Sequence, residues 1–345
     1  MKKIVICVLI LTLMTAVLLN PQYYINCVKN SLISCYTTLI PSLCAFMMLS
    51  QLFCESTAGD TVSSFLSPVM KKVFCLNKTE TKIFLSSLIG GYPCGAKMVS
   101  NALKENKITL SSATRLLTFC INPSPSYLIL AVGVGLYKNK QIGAVFLLSN
   151  LISSLVMVFL TRRKTMQKEA QTHSLSFSQT LVKSINDGTN AMLLICGFTL
   201  FFSVIRAFLE QIGLFNVDPT LTALLSLSLD VVTGINNTYQ TSTFLSGIAI
   251  SFGGMSVIFQ CMTMLKDQKI KFLKIIPFRI LHSVLTGLIS YFIIKISDFP
   301  IETMTHLKPT LSIHSTELSM IFVATCIVFL VSLKRSEYNE KTFRK

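Results

Sequence analysis

The residues with the clearest chemical potential form the segment Gly-Gly-Tyr-Pro-Cys-Gly-Ala-Lys at positions 90–97. Its glycines permit a tight turn with free backbone N–H groups, and a helix that begins after Pro93 directs its positive end toward that turn. The alternative is a kink in a packed helix, with the lysine extending to the membrane interface. We predict a binding site for a carboxylate or phosphate, with contributions from Gly91, Tyr92, Pro93, Gly95 and Lys97.

A second polar segment, Asn-Pro-Ser-Pro-Ser at positions 122–126, interrupts an otherwise apolar stretch. Because its two prolines lack an N–H group, carbonyls upstream lose their helical partners and are free to face a ligand. Asn122 and Ser124 would add further polar groups to the same site. The alternative interpretation is a proline kink that packs inside the protein.

An acidic residue, Asp230, lies within the apolar stretch 224–235 and is followed by Thr233. An ionisable side chain at membrane depth is costly, and such a residue is by default a candidate for function. Asp230 is expected to pair with Lys97 or to bind a coupling proton or sodium ion. Both Asp230 and Thr233 are therefore predicted to contribute to the binding site.

A second glycine-containing segment, Ser-Phe-Gly-Gly-Met-Ser at positions 251–256, resembles the first but contains no lysine. It is interpreted as the neutral partner of the segment 90–97 in an asymmetric site. The residues predicted to contribute from this region are Gly253, Gly254, Ser256 and Gln260.

The sequence does not indicate catalysis or metal binding. It contains no Ser/His/Asp constellation, Walker loop or histidine-containing metal motif. None of the 11 cysteines forms a Cys-x-x-Cys pair, and most lie in apolar runs, where cysteine behaves as a small hydrophobic residue. We expect no enzymatic activity, cofactor or metal. Arg115 and Arg206 are interpreted as headgroup anchors near the ends of apolar segments.

The composition indicates a membrane protein. Hydrophobic residues make up 51% of the chain and charged residues 13%, with a mean hydropathy of +0.62, whereas soluble domains carry about 25% charged residues. The apolar runs must form helices, because lipid offers backbone amides no partner. The predicted fold is an all-α integral membrane protein with about 8 transmembrane helices and two re-entrant or broken hairpin segments. The clearest runs cover residues 4–19, 142–160, 191–208 and 320–333.

Basic clusters between the apolar runs account for the net charge of +16. Such clusters are typical of cytoplasmic loops, so we expect no nucleic-acid partner and a topology with both termini inside. The segments 84–103 and 245–265 must then each enter and leave the membrane on one side. The first apolar run lacks an A-x-A cleavage site and is expected to remain as a helix. The basic clusters cover residues 2–3, 71–82, 104–107, 162–168, 266–279 and 334–345.

Two segments of the chain resemble each other. Residues 103–108 (Leu-Lys-Glu-Asn-Lys-Ile) align with 265–270 (Leu-Lys-Asp-Gln-Lys-Ile), and the same offset aligns Gly91 with Gly253. Paired broken segments are typical of secondary transporters, whose substrate site lies between two repeats, although duplication for assembly alone is an alternative. The sequence leaves open whether the repeats are inverted. The predicted organisation is an N-terminal helix (1–30), two halves (31–160 and 184–297), a basic cytoplasmic linker (161–183) and a C-terminal external loop, last helix and basic tail (298–345).

The chain resembles the YlbJ (SpoVV) type of sporulation integral membrane proteins, which are grouped with the nucleoside-recognition (Gate) proteins. The resemblance extends from about residue 32 to residue 294 and implies a fold similar to concentrative nucleoside transporters, with two hairpins meeting at a central site. Ile258 stands where a histidine is expected, and Asp230 stands where a glutamate is common. The motifs that carry the resemblance are residues 91–97, 122–125, 132–135 and 251–257 together with Gln260.

The resemblance also implies a role in endospore formation. It implies a permease of the outer forespore membrane that moves dipicolinic acid from the mother cell toward the forespore. A dianionic substrate agrees with the anion site predicted at residues 91–97. A nucleoside or nucleobase transporter and a non-transporting scaffold of a sporulation complex are the alternatives. The expected partners are a small anionic substrate and the lipid bilayer, and a homo-oligomer is compatible with the sequence.

Overall fold

The computed structural model describes residues 2–163, 177–215, 219–239 and 242–297, and every regular element among them is a helix. The predicted external loop, last helix and basic tail lie outside the described residues. The α-helices are α1 Lys2–Leu19, α2 Pro21–Ser34, α3 Ile40–Glu55, α4 Thr57–Phe74, α5 Lys78–Gly90, α6 Tyr92–Lys104, α7 Leu110–Leu116, α8 Lys140–Leu160, α9 Phe177–Gln211, α10 Pro219–Leu229, α11 Val231–Thr238, α12 Thr243–Phe252, α13 Gly254–Met264 and α14 Ile276–Ile296. Two π-helical segments, Cys35–Leu39 and Tyr127–Leu136, and a 3₁₀ turn, Phe272–Lys274, complete the set.

Five helical runs in the described part of the chain are long and apolar enough to cross a membrane. Together with the apolar faces that these helices expose, the five runs agree with the predicted all-α integral membrane fold. They are Pro21–Phe53, which joins α2 to α3 through the first π-helical segment, Lys140–Leu160, Phe177–Gln211, Thr243–Met264 and Ile276–Ile296.

The first hairpin consists of α5 and α6, which pack against each other and are joined by a turn at Gly91. A capping box starts α5, because Asn77 accepts a hydrogen bond from the Glu80 N–H while the Glu80 carboxylate accepts one from the Asn77 N–H. Gly91 has φ +83° and ψ −177°, a conformation that only glycine adopts readily. The break that the sequence predicts at residues 90–93 is therefore a turn that reverses the chain.

The second hairpin is formed by α10 and α11, which also pack against each other. Its turn is at Asp230, which has extended backbone (φ −149°, ψ 143°). By contrast, α12 and α13 do not pack side by side and form one span that is interrupted at Gly253. The alignment of Gly91 with Gly253 therefore pairs a hairpin turn with a helix break. Of the two predicted forms of the segment 245–265, a re-entrant hairpin or a broken helix, the structure has the broken helix, and the expectation that this segment enters and leaves the membrane on one side was wrong. The Gly253-Gly254 pair interrupts the hydrogen-bond ladder without reversing the chain.

The same order of elements occurs twice in the described chain. A hairpin (α5–α6) is followed by a broken helix, in which the turn and irregular residues 117–124 separate α7 from the helical residues that lead into the second π-helical segment, and then by the long helix α8. The hairpin α10–α11, the broken helix α12–α13 and the long helix α14 repeat this order. In each set the hairpin turn contacts the break of the next helix. An added Cβ on Gly91 would lie 3.2 Å from Ser124 Cβ, and one on Gly254 would lie 2.8 Å from Asp230 N.

The two hairpins approach each other from opposite ends of the helical bundle. Lys104, the last residue of α6, forms an ion pair with Asp267, just beyond α13, at 2.9 Å. The Lys104 ammonium lowers the pKa of Asp267. The ion pair places the base of the first hairpin at the end of the bundle where α13 ends. Thr238, at the end of α11, bonds to Ser246 near the start of α12 at 3.2 Å. Because α12 and α13 together form a single span, the start of α12 lies at the opposite end of the bundle from the end of α13. The base of the second hairpin, next to the start of α12, therefore lies at that opposite end.

The long helix α9 runs antiparallel to α2 and α3. Tyr24 in α2 donates a hydrogen bond to Gln211 at the end of α9 (2.8 Å), whereas Glu55 at the end of α3 pairs with Lys183 near the start of α9 (2.8 Å). Lys183 was assigned to the basic linker 161–183 by the sequence. The structure instead begins α9 at Phe177, and residues 164–176 lie outside the described part of the chain.

Replacing Gly95 with alanine is expected to lower thermal stability, because α6 approaches the chain after α7 at this residue. An added Cβ would lie 1.8 Å from the Cys120 carbonyl oxygen, and such overpacking typically costs about 1–3 kcal/mol or more. Gly197 in α9 is the matched control, since a Cβ there meets no atom within 4 Å. Thermal denaturation of detergent-purified protein should show a lower midpoint for Gly95→Ala only. Equal midpoints would contradict the close approach.

Candidate functional site

A narrow cavity lies where the two hairpin turns and the two helix breaks meet. Two apolar helices, α3 and α9, close it from the side, so its wall combines aliphatic side chains with a few polar groups. Six of the predicted site residues line it: Gly91, Tyr92, Pro93, Ser124, Asp230 and Gln260. The remaining lining residues are Leu39, Leu43, Met47, Gly90, Tyr127, Ile195, Thr199, Val231, Val232 and Val257.

Among the described residues that line the cavity, Asp230 has the charged side chain. It is buried, and its carboxylate caps α11 by accepting hydrogen bonds from the N–H groups of Val232 (3.1 Å) and Thr233 (3.4 Å). The Ser256 hydroxyl also hydrogen-bonds this carboxylate, and Gln260 Nε2 donates to Ser256 Oγ at 3.2 Å. The structure thus brings together Asp230, Ser256 and Gln260 as predicted. Thr233 contributes its backbone N–H group.

Ser124 lies in the break of the first broken helix and lines the cavity. Its Oγ accepts a hydrogen bond from the Tyr127 N–H at 3.2 Å and lies 3.1 Å from Ser126 Oγ. Asn122 is placed differently, because it is fully buried behind the break. Its Nδ2 donates to the Phe119 carbonyl (2.7 Å) and to Ser87 Oγ (3.3 Å), which holds the break against α5.

Three predicted glycines support the cavity without lining it. Gly95 lets α6 approach the backbone at Cys120, and Gly254 lets the second break contact the backbone at Asp230. Gly253 has φ +78° and ends α12. Gly95 and Gly254 therefore position the two hairpin turns and Gly253 forms the second helix break, whereas other residues provide the groups that can contact a ligand.

Lys97 forms an ion pair with Asp187 in α9 at 2.5 Å and is not among the residues that line the cavity. The predicted pairing of Lys97 with Asp230 was wrong. Lys97 lies six residues after Gly91, which corresponds to about 9 Å along α6 from the turn. Its side chain contacts α9 at that depth, so its positive charge is compensated by Asp187 rather than by a group in the cavity.

Comparison with known proteins identifies one relative of this helical protein. The chain is 25% identical over 320 residues to the sporulation integral membrane protein YlbJ of Bacillus subtilis (strain 168), an alignment that covers 79% of this chain and 78% of YlbJ. The chain is a homologue of the YlbJ-type proteins. The resemblance predicted from residues 91–97, 122–125 and 251–257 is therefore confirmed. No protein-family model matches the chain, and no solved structure matches it.

In this YlbJ homologue, Arg279 and His282 in α14 are buried ionisable residues that the sequence analysis did not identify as site candidates. Arg279 was grouped with the basic loop cluster 266–279, but it lies one turn inside the helix and is 2% exposed. A signal was present in the sequence, because a polar stripe at helical spacing crosses an otherwise apolar run. Its buried members are Arg279, His282, Ser283, Thr286 and Ser290.

A buried hydrogen-bond chain connects the two helix breaks. Arg279 donates from Nη1 to His282 Nδ1 at 3.0 Å. Because arginine has no acceptor, this Nδ1 must be unprotonated, and His282 is then the neutral tautomer with its proton on Nε2. That Nε2–H donates to Ser154 Oγ (3.2 Å), which donates to Asn122 Oδ1 (3.0 Å). Arg279 also donates from Nη2 to the Ser251 carbonyl, next to the second break.

Arg115 was interpreted as a headgroup anchor, and the structure contradicts this. It is 8% exposed and donates hydrogen bonds to the carbonyl oxygens of Phe74 (2.7 Å) and Cys75 (3.1 Å). These are unpaired carbonyls at the end of α4, where a positive charge also stabilises the helix dipole. Arg206 forms an ion pair with Glu210 one turn later in α9, at 2.7 Å.

Proposed function

We propose that the protein is a permease that moves a small organic molecule across the membrane through the cavity between its two hairpin turns. The observation that carries this proposal is the meeting of two opposed hairpins and two helix breaks at one buried, partly polar cavity. Backbone that is not helical is tolerated at membrane depth where it is enclosed by protein or lines a cavity. Transporters use such discontinuous helices to bind substrate near the middle of the bilayer.

The substrate class that we propose is a small organic acid, and dipicolinate is the candidate that the family resemblance implies. Helix α6 begins at the cavity without a side-chain cap, and helix N-termini favour carboxylates. The relative YlbJ is named as a sporulation integral membrane protein. This name supports a role in sporulation, and the outer forespore membrane is the location that the family resemblance implies.

A nucleoside or nucleobase is the second candidate substrate, and one feature of the cavity favours it. Among the described residues that line the cavity, none is cationic, whereas Asp230 and Gln260 provide a carboxylate and a carboxamide. These groups suit the hydroxyls of a ribose or the edge of a base. On this hypothesis the substrate is neutral, and Asp230 accepts hydrogen bonds from it.

Uptake by purified protein in lipid vesicles should distinguish these substrates. We expect accumulation of labelled dipicolinate, with competition by unlabelled dipicolinate and none by uridine. Competition by uridine alone would instead support the nucleoside transporter. Absence of uptake, together with normal dipicolinate content but defective assembly in spores of a deletion strain, would support a non-transporting scaffold.

A further inference from the structure

Arg279 is a buried cation without an acidic partner. It is 2% exposed, and none of the ion pairs among the described residues includes it. Its hydrogen bonds go to the neutral His282 ring and to the Ser251 carbonyl. Removing an arginine from water without a counter-ion is costly. A buried guanidinium that lacks a counter-ion can recover part of that cost by binding an anion, because its fork geometry matches a carboxylate.

The position of Arg279 connects it to the cavity through Tyr92. Tyr92 lines the cavity, and its hydroxyl donates to the Ile250 carbonyl. Arg279 holds the Ser251 carbonyl, the next one along the chain. Both side chains therefore end at the last carbonyls of α12, beside the second helix break.

The charges around the cavity indicate what Arg279 can supply. A dicarboxylate that enters a cavity containing Asp230 requires a nearby cation. Lys97 does not provide it, because its charge is compensated by Asp187. Arg115 does not provide it either, since it is committed to the carbonyls at the end of α4. Arg279 remains as the buried cation that contacts the second helix break.

We propose that Arg279 is a carboxylate subsite that Tyr92 separates from the cavity in the conformation described. When the Tyr92 hydroxyl leaves the Ile250 carbonyl, the cavity extends to the guanidinium. Arg279 then exchanges the Ser251 carbonyl for one carboxylate of the substrate, and the second carboxylate lies at the N-terminus of α6, which has no side-chain cap. This inference rests on the proposed transport function and deepens it, since it selects dicarboxylates over monocarboxylates.

The test compares dipicolinate with picolinate, which has the same ring and one carboxylate fewer. In vesicles that contain Arg279→Gln, we expect the preference for dipicolinate over picolinate to fall by about tenfold, as for the loss of one charge-assisted contact. Arg115→Gln is the matched control, a buried arginine that caps a different helix, and it should keep the wild-type preference. An unchanged preference in Arg279→Gln, with wild-type uptake of dipicolinate intact, would overturn the subsite. Absence of dipicolinate uptake by the wild type would overturn the proposed function itself.

A second variant keeps the inference testable if Arg279→Gln does not fold. Tyr92→Phe retains the ring and removes the hydrogen bond to Ile250, so opening toward Arg279 becomes easier. We expect a severalfold tighter apparent affinity for dipicolinate with little change for picolinate, since a lost neutral hydrogen bond shifts an opening equilibrium by about fivefold. Equal changes for both substrates, or none for either, would count against the subsite.

Discussion

Replacing Asp230 with asparagine is expected to reduce substrate uptake by about tenfold or more while the protein still folds. Asparagine is as good an N-cap as aspartate, so the hydrogen bonds from the N–H groups of Val232 and Thr233 are retained. The amide oxygen can also accept the Ser256 hydroxyl. What the substitution removes is the negative charge at the cavity wall and the ability to exchange a proton or bind a cation. Uptake by reconstituted vesicles, normalised to inserted protein, measures the effect.

Two further variants separate the cap from the charge. Asp230→Ala removes both and should lose about 1 kcal/mol of helix stability in addition to uptake. Thr109→Ala is the matched capping control, because Thr109 accepts from the Ser112 N–H at the start of α7 and does not line the cavity. It should show the stability loss with normal uptake. If Asp230→Asn transports at the wild-type rate, the carboxylate serves only as a helix cap.

The sequence predicted the membrane helices and the first hairpin from strong local signals. Long apolar runs identify α8 and α9 because nothing else can satisfy the backbone in lipid. The Gly-Gly-Tyr-Pro segment identifies the first turn, because a backbone at φ +83° followed by a helix-starting proline requires those residue types. At these places the local chemistry permits one structure.

The second hairpin could not be found in the same way. Its turn is an extended aspartate with no glycine or proline beside it, and only the cap formed by Asp230 marks the start of α11. An aspartate in an apolar stretch predicts an intramembrane acid as readily as a helix cap. The conspicuous glycine pair at 253–254 drew the prediction to a helix that is interrupted but not reversed. Whether a glycine pair reverses the chain or only interrupts a helix is decided by helix packing, for which this segment carries no local sequence signal.

The sequence identified site residues that interrupt apolar runs as isolated polar groups. It did not identify the buried arginine that lies within a cluster of basic residues. Ser124, Asp230 and Gln260 were identified as isolated polar groups, and the fold gathers them at one cavity. Arg279 was grouped with neighbouring lysines in the basic cluster 266–279, although it is a buried residue in the first turn of α14. Lys97 was assigned to the cavity because it closely follows the Gly-Gly-Tyr-Pro turn, and its ion pair was not foreseen because Asp187 lies on another helix far along the chain.

The hydrogen-bond chain gives the two breaks a common structural support. It begins at Ser251 beside the second break, passes through Arg279, His282 and Ser154, and ends at Asn122 beside the first break. The link from Arg279 to His282 lies within α14, and the other links join different helices or a helix to a break, so movement of one break changes the partners available to the other. A buried polar network of this kind favours few arrangements, because every unpaired member would carry a desolvation cost.

The ion pair between Lys97 and Asp187 leads to the second large expected effect. It joins α6 of the first hairpin to α9, and both side chains are less than one-fifth exposed. Lys97→Ala leaves a largely buried carboxylate without a partner, a cost of about 1–3 kcal/mol that weakens the attachment of the hairpin. We expect uptake to fall by about tenfold. The double variant, Lys97→Asp with Asp187→Lys, restores an ion pair and is expected to recover most of the uptake.

The charge exchange decides between two roles for Lys97. If Lys97 only holds the hairpin against α9, reversing the pair preserves the attachment, and uptake returns. If Lys97 itself binds the substrate, a negative residue at position 97 opposes an anion, and the double variant stays as inactive as Lys97→Ala. Lys104→Ala is the matched control, since its ion pair with Asp267 is about half exposed and such pairs contribute about 0–1 kcal/mol. Uptake by Lys104→Ala should equal that of the wild type, because Lys104 lies at the base of the first hairpin, at the end of α6 that is farthest from the turn.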